Sequence, residues 1–210
     1  MHLLEAPDGP VPLVHRGRDA VYAEVAGRCV GVVTSRATAV PCALRTTLAT
    51  LDVASAGVHG GTLHLDDEPV TVGRVIDVGV PRLATTATSP APAPDVAAMV
   101  GRGDGLTPYD DDVLCGWLAL HRAGGIPTPE VDAAVVAFAD RTTLLSATLL
   151  DCALHGEVIP EFAAWVAAIG TAAEPDRAAV LAAVGHTSGR GLLQGGRLAL
   201  AHLRPEGIAA

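Results

Sequence analysis

The constraint that acts hardest on this chain is a change of hydrophobic period near residue 84. Before it the residues alternate as in strands. Val21, Ala23 and Val25 occupy every second position, and Gly27-Arg28 turns the chain into CVGVVTS. The stretches TLHLDDEPVTVG and RVIDVGV continue the β pattern, with Asp66-Asp67-Glu68 as a hairpin tip. Val40-Pro41 suits an edge strand or the start of one. After residue 95 the apolar spacing becomes helical. It predicts helices near 95–101, 109–123, 129–140, 143–156, 160–170, 175–184 and 189–203. Pro127, Pro129, Pro160 and Pro175 stand where those helices should start. The expected fold class is α+β. A small β-barrel-like domain spans 1–83, a Pro/Ala/Thr linker spans 84–94, and an all-helical domain spans 95–210.

Composition removes several chemistries. All 14 cationic residues are Arg, and the chain contains neither Lys nor Asn. Lysine Schiff bases, pyridoxal anchoring and the P-loop lysine are therefore excluded. No organic cofactor is expected. The net charge is −9, and the arginines are scattered singly. Nucleic acid and anionic membrane surfaces are poor partners for such a chain. Cys29, Cys42, Cys115 and Cys152 form no C-x-x-C pair, so they read as reduced thiols. The first ten residues lack a cationic start and a long apolar core, and no apolar run reaches a membrane span. The expectation is a cytoplasmic protein.

The densest chemistry lies at 101–112, GRGDGLTPYDDD. Gly101, Gly103 and Gly105 allow the backbone to bend and approach a ligand closely. Thr107 followed by Pro108 reads as an N-cap followed by the first helical residue, with Asp110 completing a capping box. The helix that follows is apolar nearly all round, so it is expected to be buried. Asp110, Asp111 and Asp112 would open at its mouth. First-turn aspartates complement a helix dipole, and capping alone could account for one of them. Three in a row repel one another more strongly as the dielectric falls. Mg²⁺ held by Asp111 and Asp112 would relieve that repulsion, and a metal with glycine amides would hold a phosphate.

These residues resemble the signature of a bacterial family named for a subunit of the oxamate carbamoyltransferase of anaerobic allantoin breakdown. That signature reads approximately GLGPGLTPSGDD. Gly101, Gly103, Gly105, Leu106, Thr107, Pro108, Asp111, Asp112, Leu114 and Gly116 match it. Asp104, Tyr109 and Asp110 replace the usual Pro, Ser and Gly. A late family motif is similar to GHTSGRGLLQG at 185–195, with Gly191 where Asp is common. A third match is Thr142-Thr143-x-x-Ser146, ahead of an Ala/Leu helix ending in Gly156. The resemblance implies a carbamoyl-transfer system in which oxalurate and phosphate exchange with oxamate and carbamoyl phosphate. It also implies several kinds of subunit as partners and a small anionic substrate.

The expected site lies where 101–112 and 185–191 converge. Asp111, Asp112 and Thr107 are the catalytic candidates, with Asp111 and Asp112 as the metal pair. Gly101, Arg102, Gly103, Gly105, Thr187, Ser188, Gly189 and Arg190 are the substrate- or phosphate-binding candidates. Ser188 equally suits the N-cap of the last helix. The alternative to an enzyme subunit is a non-catalytic binding or assembly subunit. Thr148, Asp151 and His155 share a helical stripe that reads as a solvated face. His59, His64, His121, His186 and His202 show no metal-ligand spacing, and Cys115 and Cys152 fit a core.

Overall fold

Eight strands form before residue 70, and they belong to two antiparallel-rich sheets. The computed structural model describes residues 2–203, and the chain divides into two units after Asp77. In the first unit a short helix α1 (His2–Glu5) precedes β1 (Gly9–Val11), β2 (Leu13–Arg16), β3 (Ala20–Val25) and β4 (Arg28–Val33). Then come β5 (Ala43–Arg45), β6 (Ala56–His59), β7 (Thr62–Leu65) and β8 (Glu68–Pro69). One sheet has the order β1-β6-β7-β8 and the other β2-β3-β4-β5.

Side chains from both sheets pack together in two buried clusters. Val21 and Val32 of the second sheet cluster with Leu63 of the first and with Leu51. Ala23 and Val25 likewise meet Ala56 and Val58. The ladders among the described residues form two sheets and no closed barrel. The barrel-like expectation thus reduces to a two-sheet β unit. A barrel needs the last strand to pair with the first. Here β5 and β8 remain edges.

Local chemistry explains the turns. Ala26 and Gly27 both take positive φ, 50° and 75°, which joins β3 to β4 tightly. Asp66 and Asp67 do the same between β7 and β8, with φ of 49° and 67°. The Asp66 carboxylate then accepts from the Ser55 amide at 2.8 Å and the Ala54 amide at 3.0 Å. Those bonds hold its pKa below the usual carboxylate value. Pro41 stands just before β5, which pairs with β4 at a sheet edge. The RVIDVGV stretch at 74–80 is not a strand. Val75 is 87% exposed, and only Gly79 makes an isolated bridge, to Glu157. The last residues of the stretch make single backbone bonds instead, with Val80 donating to the Gly156 carbonyl at 2.7 Å and Val78 accepting from the Val158 amide at 2.8 Å.

The second unit is helical, and its helices begin and end close to where periodicity and proline place them. They are α2 (Val96–Met99), α3 (Tyr109–Gly124), α4 (Pro129–Phe138) and α5 (Leu144–Leu154). After them come α6 (Pro160–Ala168), α7 (Glu174–Ala182) and α8 (Ser188–Leu203). Residues 204–210 of the expected helical domain lie outside the described residues. Pro129 and Pro160 are the first residues of their helices, and Pro175 is the second of α7. No helix among the described residues is long and apolar enough to cross a membrane.

Helix α3 is the axis of this unit. Leu114, Leu118 and Leu120 are fully buried, and Trp117 is nearly so. Its main partner is α8, and glycine sets the spacing. A Cβ on Gly195 would lie 1.8 Å from the Val113 carbonyl oxygen, and one on Gly116 would lie 2.0 Å from that of Leu192. The two backbones therefore touch where no side chain fits.

The 84–94 stretch, expected as a linker, hydrogen-bonds along the helical unit. The Leu83 amide donates to the Ala123 carbonyl at 2.9 Å, and the Thr85 hydroxyl donates to that of Leu203. The Ala91 amide donates to Nε2 of His121 at 3.0 Å. His121 is fully buried, and its Nδ1 lies 2.7 Å from the Trp117 carbonyl. A carbonyl only accepts, so Nδ1 carries the proton and the ring is neutral. Burial lowers its pKa. His121 is therefore a satisfied core histidine.

Candidate functional site

Three sequence-distant motifs meet at the helix starts of the second unit. The loop 101–108 leads into α3, Thr142-Thr143 into α5, and 185–187 into α8. Asp111 joins the first two. It is fully buried and accepts from the Gly101 amide at 2.8 Å, the Ser146 hydroxyl at 2.7 Å and the Thr142 hydroxyl at 2.5 Å. Thr143 caps α5 by accepting from the Ser146 amide at 3.0 Å, and its hydroxyl donates to the Leu106 carbonyl at 2.6 Å. The glycine loop is thus pinned at both ends to the start of α5.

Gly101 must be glycine here. Its φ is +79°, and a Cβ would lie 2.3 Å from the Arg141 carbonyl oxygen. Gly103, at φ +123°, would bring a Cβ to 2.6 Å from the Tyr109 amide nitrogen. Between these anchors Arg102, Gly103, Asp104, Gly105 and Leu106 are exposed.

Thr107 departs from its expected role. The Asp110 amide, which a capping Thr107 would engage, instead donates to the Arg102 carbonyl at 3.1 Å. The helix starts at Tyr109, with Pro108 as its uncapped boundary. The Thr107 hydroxyl lies 2.8 Å from that of Ser188. Ser188 is itself the first residue of α8 rather than a residue ahead of it. Both hydroxyls also act on the Asp112 carboxylate, favouring its charged form. The expected convergence of 101–112 with the start of the late motif is therefore a direct side-chain contact.

Asp112 is the unusual group. It is 5% exposed, and its Oδ2 has no hydrogen-bond partner among the described residues. Burial pushes its pKa from 3.8 to about 7, and the Asp111 charge adds to that rise. The Ser188 and Thr107 hydroxyls work in the opposite direction by favouring the charged form.

The other candidates separate into loop and core. Arg102 is exposed, with Nε 3.6 Å from Asp110 Oδ2. Arg190 is exposed and donates to the His186 carbonyl at 2.7 Å. The Thr187 carbonyl accepts from the Gly191 amide at 3.0 Å at the start of α8. Gly189 is buried, and a Cβ there would lie 1.9 Å from the Leu181 carbonyl oxygen. That position serves α7–α8 packing.

The donor set does not fit the expected magnesium ion. Both Asp111 oxygens already accept from protein donors, and Asp112 offers one unpartnered oxygen. Among the described residues no three His, Cys, Asp or Glu side chains are grouped to hold a metal.

Tyr109 and Gln194 were not among the expected site residues, yet the Tyr109 hydroxyl donates to Gln194 Oε1 at 2.6 Å across α3 and α8. Thr142 and Ser146 were visible only as a third motif match. Nothing in their spacing announces that they serve Asp111. The Thr148–Asp151–His155 stripe is solvated only toward its C-terminal end. His155 is 67% exposed, and its Nδ1 lies 3.8 Å from Asp151 Oδ2. Thr148 instead turns inward and donates to the Leu144 carbonyl at 2.8 Å. Cys115 and Cys152 are buried and form no disulfide among the described residues.

Comparison with known proteins agrees with the motifs. The family model described as oxamate carbamoyltransferase subunit AllH matches residues 99–200. No curated protein and no solved structure matches the chain. The matched segment starts just before the glycine loop and includes all three converging motifs. Residues 99–200, just under half of the chain, are similar to the family of the oxamate carbamoyltransferase subunit AllH.

Proposed function

We propose that this chain works as a subunit of a carbamoyltransferase-like enzyme and that its 101–107 loop supplies one wall of an anion site. The observation that carries the reading is the exposed run Arg102–Leu106, held rigid from beneath by buried Asp111. Loop amides and the Arg102 guanidinium suit a phosphate or carboxylate oxygen. Arg190 stands exposed one turn into the adjoining α8. A surface wall of this kind becomes a pocket when a partner subunit covers it.

The reaction would transfer a carbamoyl group between an oxalurate-like ureido acid and phosphate. A phosphate oxygen bonds to the carbamoyl carbon. The C–N bond to the oxamate nitrogen breaks, and that nitrogen takes a proton. Loop amides and arginines would stabilise the oxyanions by fixed placement. Asp111 is a positioning residue in this reading, because its oxygens face the protein. Asp112 retains a proton to unusually high pH and couples Thr107 to Ser188.

A second reading is favoured by the sealed position of both aspartates: an assembly subunit whose motif locks helices while a partner performs the chemistry. The test is reconstitution with partners recovered by co-purification, followed by assay of carbamoyl phosphate formed from oxalurate and phosphate. Loss of turnover in Arg102→Ala with assembly intact supports the first reading. Full turnover in both Arg102→Ala and Arg190→Ala supports the second.

A further inference from the structure

The β unit contains a hollow of about 350 Å³ lined by Arg18, Asp19, Arg36, Ala37 and Ala49. Three distant segments build it, and backbone bonds fix them together. The Leu51 amide donates to the Arg18 carbonyl at 2.8 Å, and the Thr34 amide donates to the Asp19 carbonyl at 2.9 Å. The Ser35 amide donates to the Leu48 carbonyl at 3.0 Å. Arg45 adds a bond from its guanidinium to the Ser35 carbonyl at 2.5 Å.

Neither guanidinium on this hollow has a hydrogen bond or an ion pair among the described residues. Each offers a planar fork of donors suited to an oxyanion. Two guanidinium groups beside one cavity repel each other, and one carboxylate, Asp19, does not balance both. The hollow falls within the range of about 300–1,000 Å³ used by small-molecule sites.

We propose that this hollow binds a small anion bearing a carboxylate or phosphate group together with an N–H or O–H donor. Arg18 and Arg36 take the oxyanion, and Asp19 accepts from the donor. The bonded segments hold the arginine backbones in place before the ligand arrives, which reduces the ordering cost of binding. This site is separate in sequence from the 101–107 loop and does not depend on its role.

Titration calorimetry on the full chain at constant ionic strength tests it, with oxamate, inorganic phosphate and sulfate as probes. Saturable binding of oxamate or phosphate is expected, and the preferred probe separates the carboxylate from the phosphate source. Arg18→Ala and Arg36→Ala should each weaken it by about tenfold or more, as loss of a charged hydrogen-bond donor does. Arg74→Ala, an exposed arginine elsewhere in the unit, should leave it unchanged. Asp19→Asn should weaken oxamate relative to sulfate, which carries no donor. Circular dichroism establishes that each variant is folded, and Arg18→Lys and Arg36→Lys should retain part of the affinity. Absence of saturable binding by the native chain would overturn the proposal. So would binding that survives the Arg18/Arg36 double change, or that Arg102→Ala removes while Arg18→Ala does not.

Discussion

Thr107 and Ser188 stand 81 residues apart in the chain, and their hydroxyl oxygens lie 2.8 Å apart. That contact ties the loop before α3 to the first turn of α8, and both hydroxyls act on the Asp112 carboxylate. Two motifs that look like separate helix caps are one cluster.

Asp112 makes stability depend on pH in an uncommon direction. Its folded pKa is raised from 3.8 to about 7. The folded state therefore holds a proton that the unfolded state has released, and stability falls as pH rises from about 4 through 7. The full effect is on the order of 4 kcal/mol by linkage from that shift. Asp112→Asn should flatten this slope. Urea unfolding at pH 5, 6, 7 and 8 should show the variant gaining on the native chain as pH rises. A constant difference across the series would contradict it.

Asp111 should be far less tolerant. Asp111→Ala strands three donors from Gly101, Thr142 and Ser146 in a buried place. A loss of about 3 kcal/mol or more is expected. Equilibrium denaturation measures it, and faster amide exchange at Gly101 should accompany it. A loss below about 1 kcal/mol would mean the carboxylate is not the anchor.

The α3–α8 contact reverses the usual preference for alanine in a helix. Gly→Ala at an ordinary interior helical site stabilises by about 1 kcal/mol. At Gly195 the new Cβ would enter the Val113 carbonyl at 1.8 Å, so Gly195→Ala should destabilise by about 3 kcal/mol. A melting temperature at or above the native value would refute the close packing.

Arg102 should separate function from stability. It is exposed, and its contact with Asp110 is 3.6 Å, a pair that contributes about 0.5 kcal/mol or less. Arg102→Ala should leave the melting curve nearly unchanged while lowering carbamoyl phosphate formation by the assembled enzyme about tenfold. A change in melting without a change in turnover would assign Arg102 to the fold.

What the amino-acid sequence determined by itself is local. Proline at the start of α4 and α6, the Asp66-Asp67 turn and the spacing of apolar residues in α3 each act through neighbours within a few residues. Those forces are readable without a fold. Matching motifs also signalled that 101–112, 142–146 and 185–195 belong together. Only the tertiary structure decided what each polar group does. Asp110, Asp111 and Asp112 are identical in type and adjacent in sequence. Yet one meets Arg102, one is saturated by three donors, and one retains an unpartnered oxygen. A helix turns about 100° per residue, so consecutive side chains face different neighbours. Those neighbours, Ser146 on α5 and Ser188 on α8, come from distant sequence. The RVIDVGV stretch makes the same point for strands. Alternation can supply an apolar face, but a ladder requires a partner edge, and the fold provides none along most of that run.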